Sequence, residues 1–388
     1  MTAAAAYLDY NATTPVKRDV ADVVAEVLAT GGNPSSVHRF GRLARAALDR
    51  ARDEVAALAG VDPDAVVFTS GGTEANALAV ASFAARGVAR LLIAGVEHDS
   101  VLAAAAHAGP EVKTLPVLPS GIVDLAALDA LLADVRASGG RAGVAVQLAN
   151  NETGVIQPVA EIAARVHAAG GLLHCDAVQG PGRIAVNIPA LGADTAALSA
   201  HKFGGPQGVG ALVAPEFRVV SPVQTGGGQE RGLRAGTENV AGIAGFGRAA
   251  VLAADDLAEA GRLAAMRDGL ERRLQTSFPG ARVYGAEADR LPNTSCIAMA
   301  GMRAETQVIA LDLAGVAVSA GAACSSGKVR ASHVLRAMGA DEDEAGSAIR
   351  VSLGWASSQH DVDRFAAAWS ELAARRAHGQ ASIAREGM

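Results

Sequence analysis

The spacing of apolar residues changes along the chain, and the changes divide it. From Ala65 to about Ala214, short apolar runs alternate with stretches of helical period, a pattern that predicts a largely parallel sheet covered by helices. The predicted strands are AVVFTS (65–70), RLLIAGV (90–96), GVAVQLA (143–149), GLLHCDA (171–177), TAALSA (195–200) and VGALVA (209–214). Helical spacing falls between them, as after Thr73 and from Glu161, and the predicted helices close on glycine. The segment PVQTGGGQERGLRAGTEN (222–239), with five glycines, predicts an irregular loop. A long alanine-rich amphipathic helix is expected from about Ala241 toward Phe278. Shorter elements after it predict a second, smaller α+β unit, with the boundary inside that helix. The first dozen residues read as a short extended arm, and a polar, frayed tail is expected after His378.

Composition narrows the function classes. A chain of 388 residues that is half apolar exceeds one folding unit, but alanine supplies much of that fraction and aromatic residues only 3%. With so few rings there is no stacking platform for single-stranded nucleic acid. The net charge of −6 and the lack of a dense Lys/Arg run argue against a phosphate-backbone partner. No run of about twenty uncharged apolar residues predicts a membrane span, and the first residues lack the basic start of a secretory signal. The three cysteines, Cys175, Cys296 and Cys324, are too scattered for a disulfide framework or a resident metal site, so a reducing cytoplasm is the expected compartment.

Candidate chemistry collects at strand ends. Only four lysines occur, Lys17, Lys113, Lys202 and Lys328, and Lys202 alone follows a predicted buried strand, in SAHKFGGPQGVGAL. Open α/β sheets bind ligands at that edge, and lysine can form a Schiff base there. Asp176, ending another strand, could pair with a protonated pyridine nitrogen, and Gln179 with a ring oxygen. SGGTEANAL (70–78) sets Gly72 and Thr73 between a strand and a helix, which makes an anion site that Ser199 and His201 could complete. A monophosphate suits it better than a dinucleotide. His98 could stack on a ring or move a proton, and Asn151 could reach the ring oxygen or a substrate carboxylate. Each residue also has a plainer reading: a surface lysine, turn and cap residues, or a satisfied histidine. Arg350, within the apolar run AIRVSLGW, binds either a substrate carboxylate or a buried Asp or Glu. Cys324 lies among small residues in SAGAACSSGKVRASH, the setting of an accessible thiol, whereas Cys175 and Cys296 sit in apolar runs.

Taken together the motifs resemble the cysteine desulfurases of NifS/IscS type, in the class-V pyridoxal-phosphate-dependent aminotransferase family. YLDYNATTP (7–15), GNPSSVHRFG (32–41), VFTSGGTEANAL (67–78), EHDSVL (97–102), NNETGVIQP (150–158), HCDAVQ (174–179), SAHKFGGPQGVGAL (199–212), GGGQERGLRAGTEN (226–239) and SAGAACSSG (319–327) follow family order along the chain. The resemblance implies a fold type I α/β transferase. A large pyridoxal-phosphate domain would span residues 13–257, and a small domain residues 1–12 and 258–388. It implies that Lys202 carries pyridoxal 5'-phosphate as a Schiff base, that Asp176 and Gln179 hold the ring, and that His98 stacks on it. Gly72, Thr73, Ser199 and His201 would bind the phosphate, joined by Thr237 from the neighbouring subunit of a homodimer. Asn151 and Arg350 would face the substrate carboxylate. The implied reaction takes sulfur from L-cysteine, leaving L-alanine and a Cys324 persulfide that passes to an acceptor such as an iron–sulfur scaffold, with which Cys324 could share a transient cluster. The stretch from Cys324 to Arg350 is similar in length to the long loop of the NifS/IscS subgroup. A selenocysteine lyase, kynureninase or small-substrate aminotransferase would share the cofactor residues, and a non-catalytic sulfur carrier would keep only the fold. AACSSGKVR departs from the usual wording around the acceptor cysteine, as does the cysteine in HCD.

Overall fold

A computed structural model describes residues 5–321 and 331–386, with side chains to residue 376. Its main sheet has seven strands. In spatial order they are Val66–Thr69, Gly210–Val213, Thr195–Ser199, Leu172–Asp176, Ala142–Ala145, Arg90–Ala94 and Glu111–Leu115. The last five run parallel, while Gly210–Val213 is antiparallel to both its neighbours. The six runs read from the sequence all contribute strands. Glu111–Leu115 was not among them because four of its five residues are exposed, so EVKTL shows no apolar run. It is an edge strand, and Glu111 and Lys113 supply the charges that discourage pairing with another chain.

A second sheet of four antiparallel strands holds Ser319–Ala320, Ala348–Ser352, Thr294–Met299 and Ala281–Tyr284 in that order. The extended arm adds Ala6–Tyr7 beside Val316–Ala317. The long helix expected after the glycine-rich loop is two helices, Val240–Asp256 and Ala260–Ser277, joined by the 3-10 turn Leu257–Glu259. The break coincides with a change of packing partner. Ile243, Phe246 and Ala250 enter the core around the seven-stranded sheet, whereas Leu263, Leu270 and Leu274 enter a second core with Ala6, Leu8, Ile349 and Trp369. The tail is helical where fraying was expected. Gln359–Glu386 continues through an alanine-rich stretch of good helix formers.

The loop at 222–239 is irregular apart from one 3-10 turn, Gln229–Gly232. Within it Glu230 and Arg231 have φ of 47° and 57°, a left-handed conformation that non-glycine residues seldom adopt in succession. What holds them is a buried clasp. Arg52 donates to both Glu230 carboxylate oxygens at 2.7 and 2.9 Å, and the Phe68 N–H donates to one of them at 2.9 Å. Arg52→Met keeps the apolar length but leaves the Glu230 carboxylate buried and unpaired. It should lower the unfolding free energy by about 3–5 kcal/mol, read by urea denaturation, and a loss below about 1 kcal/mol would mean that water replaces the pair.

Candidate active site

The carboxyl ends of the parallel strands point to one edge of the sheet, where open α/β folds bind ligands. Thr195–Ser199 runs there into the 3-10 turn Ala200–Phe203, which lifts Lys202 out of the sheet. Its Nζ donates to the carbonyls of Asn11 at 2.8 Å and Ala12 at 3.0 Å, tying the N-terminal arm to the site. His201 stands beside it, with Nδ1 3.2 Å from the Thr13 hydroxyl. Burial, then the neighbouring Lys202 and Arg183 charges, push its pKa down to about 4, so the imidazole is neutral at pH 7.

On the adjacent strand, Leu172–Asp176, the two-residue period puts His174 and Asp176 on one face and Cys175 in the main core. That alternation is why a cysteine is accommodated in HCD. The Asp176 carboxylate accepts from Val178 N at 3.1 Å and from Asn76 Nδ2 at 2.8 Å. Gln179 donates through Nε2 to Asn11 O at 3.1 Å, and its buried Oε1 has no partner among the described residues. Facing these is the start of the helix Gly72–Ala85, whose first N–H groups have no intrahelical partner and could hold an anion. Close approach requires glycine here. A Cβ on Gly72 would fall 2.8 Å from Val178 Cγ2, and one on Gly210 2.7 Å from the Gly71 backbone.

His98 caps the helix Asp99–His107, its Nδ1 accepting from Ser100 N at 3.1 Å. Asn151 follows the strand Ala142–Ala145 and accepts at its backbone carbonyl from Asn11 Nδ2 at 3.1 Å. Together Gly72, Thr73, His98, Asn151, Asp176, Gln179, Ser199, His201 and Lys202 line one cavity of about 220 Å³. Nine of the twelve residues singled out from the sequence thus meet in one place.

The other three stand apart. Arg350 lies in the strand Ala348–Ser352, almost fully buried, where it pairs with Asp9 at 2.8 Å and donates to Asn151 O at 3.2 Å. The carboxylate it holds in this structure therefore belongs to the protein, although its buried Nε has no partner among the described residues. Thr237 is exposed and does not line the cavity of its own chain. Cys324 lies outside the described residues. The chain leaves that segment's start and returns at fixed points: Gly321 N donates to Ala348 O at 3.1 Å, and Ser332 Oγ to Glu152 Oε2 at 2.6 Å. Glu152 directly follows the cavity residue Asn151, and burial pushes its pKa up to about 7.

Residues 6–365 match the aminotransferase class-V family. The chain belongs to that family. It is 43% identical to a cysteine desulfurase of Cereibacter sphaeroides over 92% of this chain and 93% of that one. It is 41% identical to the cysteine desulfurase IscS of an Anaeromyxobacter strain, covering 92% and 89%. The solved NifS-like protein of Rickettsia africae superposes with a TM-score of 0.86 at 36% identity, over 95% of this chain and 99% of that one. The fold is accordingly fold type I.

Class-V aminotransferases use pyridoxal phosphate, and the residues present fit it. The anion terminus, the hydroxyls of Thr73 and Ser199, a cradle too tight for a Cβ, a buried carboxylate, an orphaned amide oxygen and a lysine all face one space. Three further residues of this wall carry no clear mark in the sequence. Asn76 and Ser100 line the cavity, and Arg183 donates to the carbonyls of Tyr10, Gln179 and Lys202 at 3.0–3.2 Å. A histidine two residues before Asp176 on a strand was the available signal for the first group. Nothing local marks Arg183.

Proposed function

We propose that this chain is a pyridoxal-phosphate-dependent cysteine desulfurase that converts L-cysteine to L-alanine and stores the sulfur as a persulfide on Cys324. The observation that carries this reading is the placement of Lys202 on a turn between an anion cradle and the Asp176 carboxylate, in a chain whose curated relatives are named cysteine desulfurases. Thr73, Ser199, His201 and the backbone at Gly72 would hold the phosphate. Asp176 would hold the ring nitrogen, Gln179 the ring oxygen, and His98 would lie against the ring face. When bound, the cofactor supplies an electron sink that weakens bonds at the substrate carbon.

The residues of the chain do the rest. Lys202, seated near the Asn11 and Ala12 carbonyls, gives and takes the proton at the substrate Cα. Asn151 orients the substrate carboxylate, and Arg350, whose buried Nε has no partner among the described residues, would be its cationic ligand. The Cys324 thiolate attacks the substrate sulfur. The sulfur–carbon bond breaks with its electron pair kept on carbon, an S–S bond forms, and protonation of that carbon gives alanine. Cys175 and Cys296 are unsuited to this role, because burial pushes both thiols up and away from the thiolate.

A homodimer completes the site, with Thr237 of each chain serving the cavity of the other. Its exposure and its position on a clasped loop support that arrangement, as do the exposed Leu28, Val37, Phe40 and Leu43 near the N-terminal helices. The acceptor of the persulfide is a second protein such as an iron–sulfur scaffold, and the reaction is cytoplasmic; among the described residues no helix is long and apolar enough to cross a membrane. The test is direct. Protein reconstituted with pyridoxal phosphate and given L-cysteine under reducing conditions should release alanine and sulfide in equal amounts. Pyruvate with ammonia, or transfer of the amino group to a keto acid, would place the chain with another class-V activity.

A further inference from the structure

Behind Asp176 lies a chain of buried polar side chains that no apolar packing requires. Asn76, in the second turn of the helix Gly72–Ala85, is 1% exposed, and His174 and Thr195 are fully buried. Their distances are those of good hydrogen bonds: Asn76 Nδ2 to Asp176 Oδ2 2.8 Å, Asn76 Nδ2 to Ser100 Oγ 2.9 Å, His174 Nε2 to Asn76 Oδ1 2.8 Å, and His174 Nδ1 to Thr195 Oγ1 2.9 Å. Chemistry fixes the direction of every link. Facing a carboxylate, the Asn76 amide must present its NH₂, so its oxygen faces His174. That oxygen accepts only if His174 carries its proton on Nε2, which leaves Nδ1 to accept from the Thr195 hydroxyl. Burial pushes the His174 pKa down to about 4, in keeping with a neutral ring that has one donor and one acceptor nitrogen.

The second hydrogen of the Asn76 amide reaches Ser100, whose hydroxyl is 2.8 Å from His98 Nδ1. His98 Nδ1 already accepts from Ser100 N, so the neutral His98 ring keeps its proton on Nε2. One amide therefore touches the supports of both ring-contacting residues. All three of its polar positions are used, and no substitution among the ordinary side chains except a similarly placed amide would reproduce them.

We propose that Asn76, locked by His174 and Thr195, is a positioning residue that fixes the Asp176 carboxylate in place as the acceptor for a protonated pyridine nitrogen. This rests on the pyridoxal-phosphate reading above. Asn76 Nδ2 and Val178 N each hold one carboxylate oxygen, and removing the side-chain bond frees the carboxylate to turn away from the ring nitrogen, which then loses the partner that favours its protonated form. The buried histidine is thus a second support for the cofactor rather than a core residue.

The test uses the full-length protein titrated with pyridoxal phosphate labelled with nitrogen-15 in the ring. In wild type the ring nitrogen should resonate as a pyridinium. Asn76→Leu and His174→Phe, which keep volume but cut the chain, should weaken cofactor binding about 10- to 100-fold and move the resonance toward free pyridine. His174→Gln, which offers one donor and one acceptor in place of the neutral ring, should stay near wild type in both measurements. Thr195→Val removes only the hydroxyl that sets the His174 tautomer, and should shift the resonance in the same direction by a smaller amount even if the larger changes prevent folding. Wild-type affinity and an unmoved resonance in Asn76→Leu and His174→Phe overturn the proposal, as does an unmoved resonance in Thr195→Val where those two do not fold. A wild-type protein that binds no cofactor at all refutes the functional reading instead.

Discussion

Lys202→Ala is expected to lower the rate of alanine formation from cysteine by at least about 10,000-fold, the scale seen when a covalent catalytic group is removed. The loss has two sources. Among the described residues it is the only lysine that lines the cavity, so no other described amine there can hold the cofactor covalently or shuttle a proton at the substrate carbon. Lys202→Arg should fail almost as badly although it keeps the charge, because guanidinium stays protonated and cannot form a Schiff base. Both variants should fold. Lys202 Nζ donates to backbone carbonyls of the arm, while the turn that carries it is held by Arg183 and by the Thr14 hydroxyl, which donates to Lys202 O at 2.7 Å. Circular dichroism and the melting temperature check that, and absorption of the purified protein with added cofactor reports the missing covalent bond. Activity within about tenfold of the parent would sink the assignment of Lys202.

Cys324→Ala should separate the desulfurase reading from its neighbours. Alanine formation is expected to fall about 1,000-fold or more, while cofactor affinity and the visible spectrum stay as in the parent. The two effects diverge because the described cavity residues that would hold the cofactor do not include this thiol, and neither of the other two cysteines is placed to take the sulfur in its stead. Cys175 and Cys296 are both buried, and desolvation disfavours their thiolates. Mass spectrometry of the parent after brief exposure to cysteine should find the additional sulfur on the peptide that contains Cys324. Parent-like turnover in Cys324→Ala would point to a lyase that releases its product without a protein thiol.

How much of this was legible beforehand depends on the range of the interactions involved. Six strands of the main sheet announce themselves because each is buried on both faces, so its apolar run is continuous. The seventh, Glu111–Leu115, is solvated and has no such mark. The glycine-rich loop was recognisable as irregular, but the two left-handed residues within it are not glycines. They are held by Arg52, 178 positions away from Glu230, through a contact that local spacing cannot show. The single long helix became two because two cores compete for it, and the sequence carries no strong breaker where they meet.

For the site, the sequence by itself determined which residue types stand at strand ends: a scarce lysine, a carboxylate, an amide, and glycines before a helix. Those are local properties, set by the two-residue period of strands and the need for glycine where backbones touch. Only the tertiary structure decided what supports them. Arg350 reads from sequence as either a substrate ligand or half of an ion pair, and the arm brings Asp9 to it across 341 positions. Asn76, His174 and Thr195 come from a helix and two strands, and they become one chain of hydrogen bonds because the parallel ladder sets His174 beside Thr195 and the helix crosses above them. Burial then makes each unpaired polar group costly enough that the links close in a single direction.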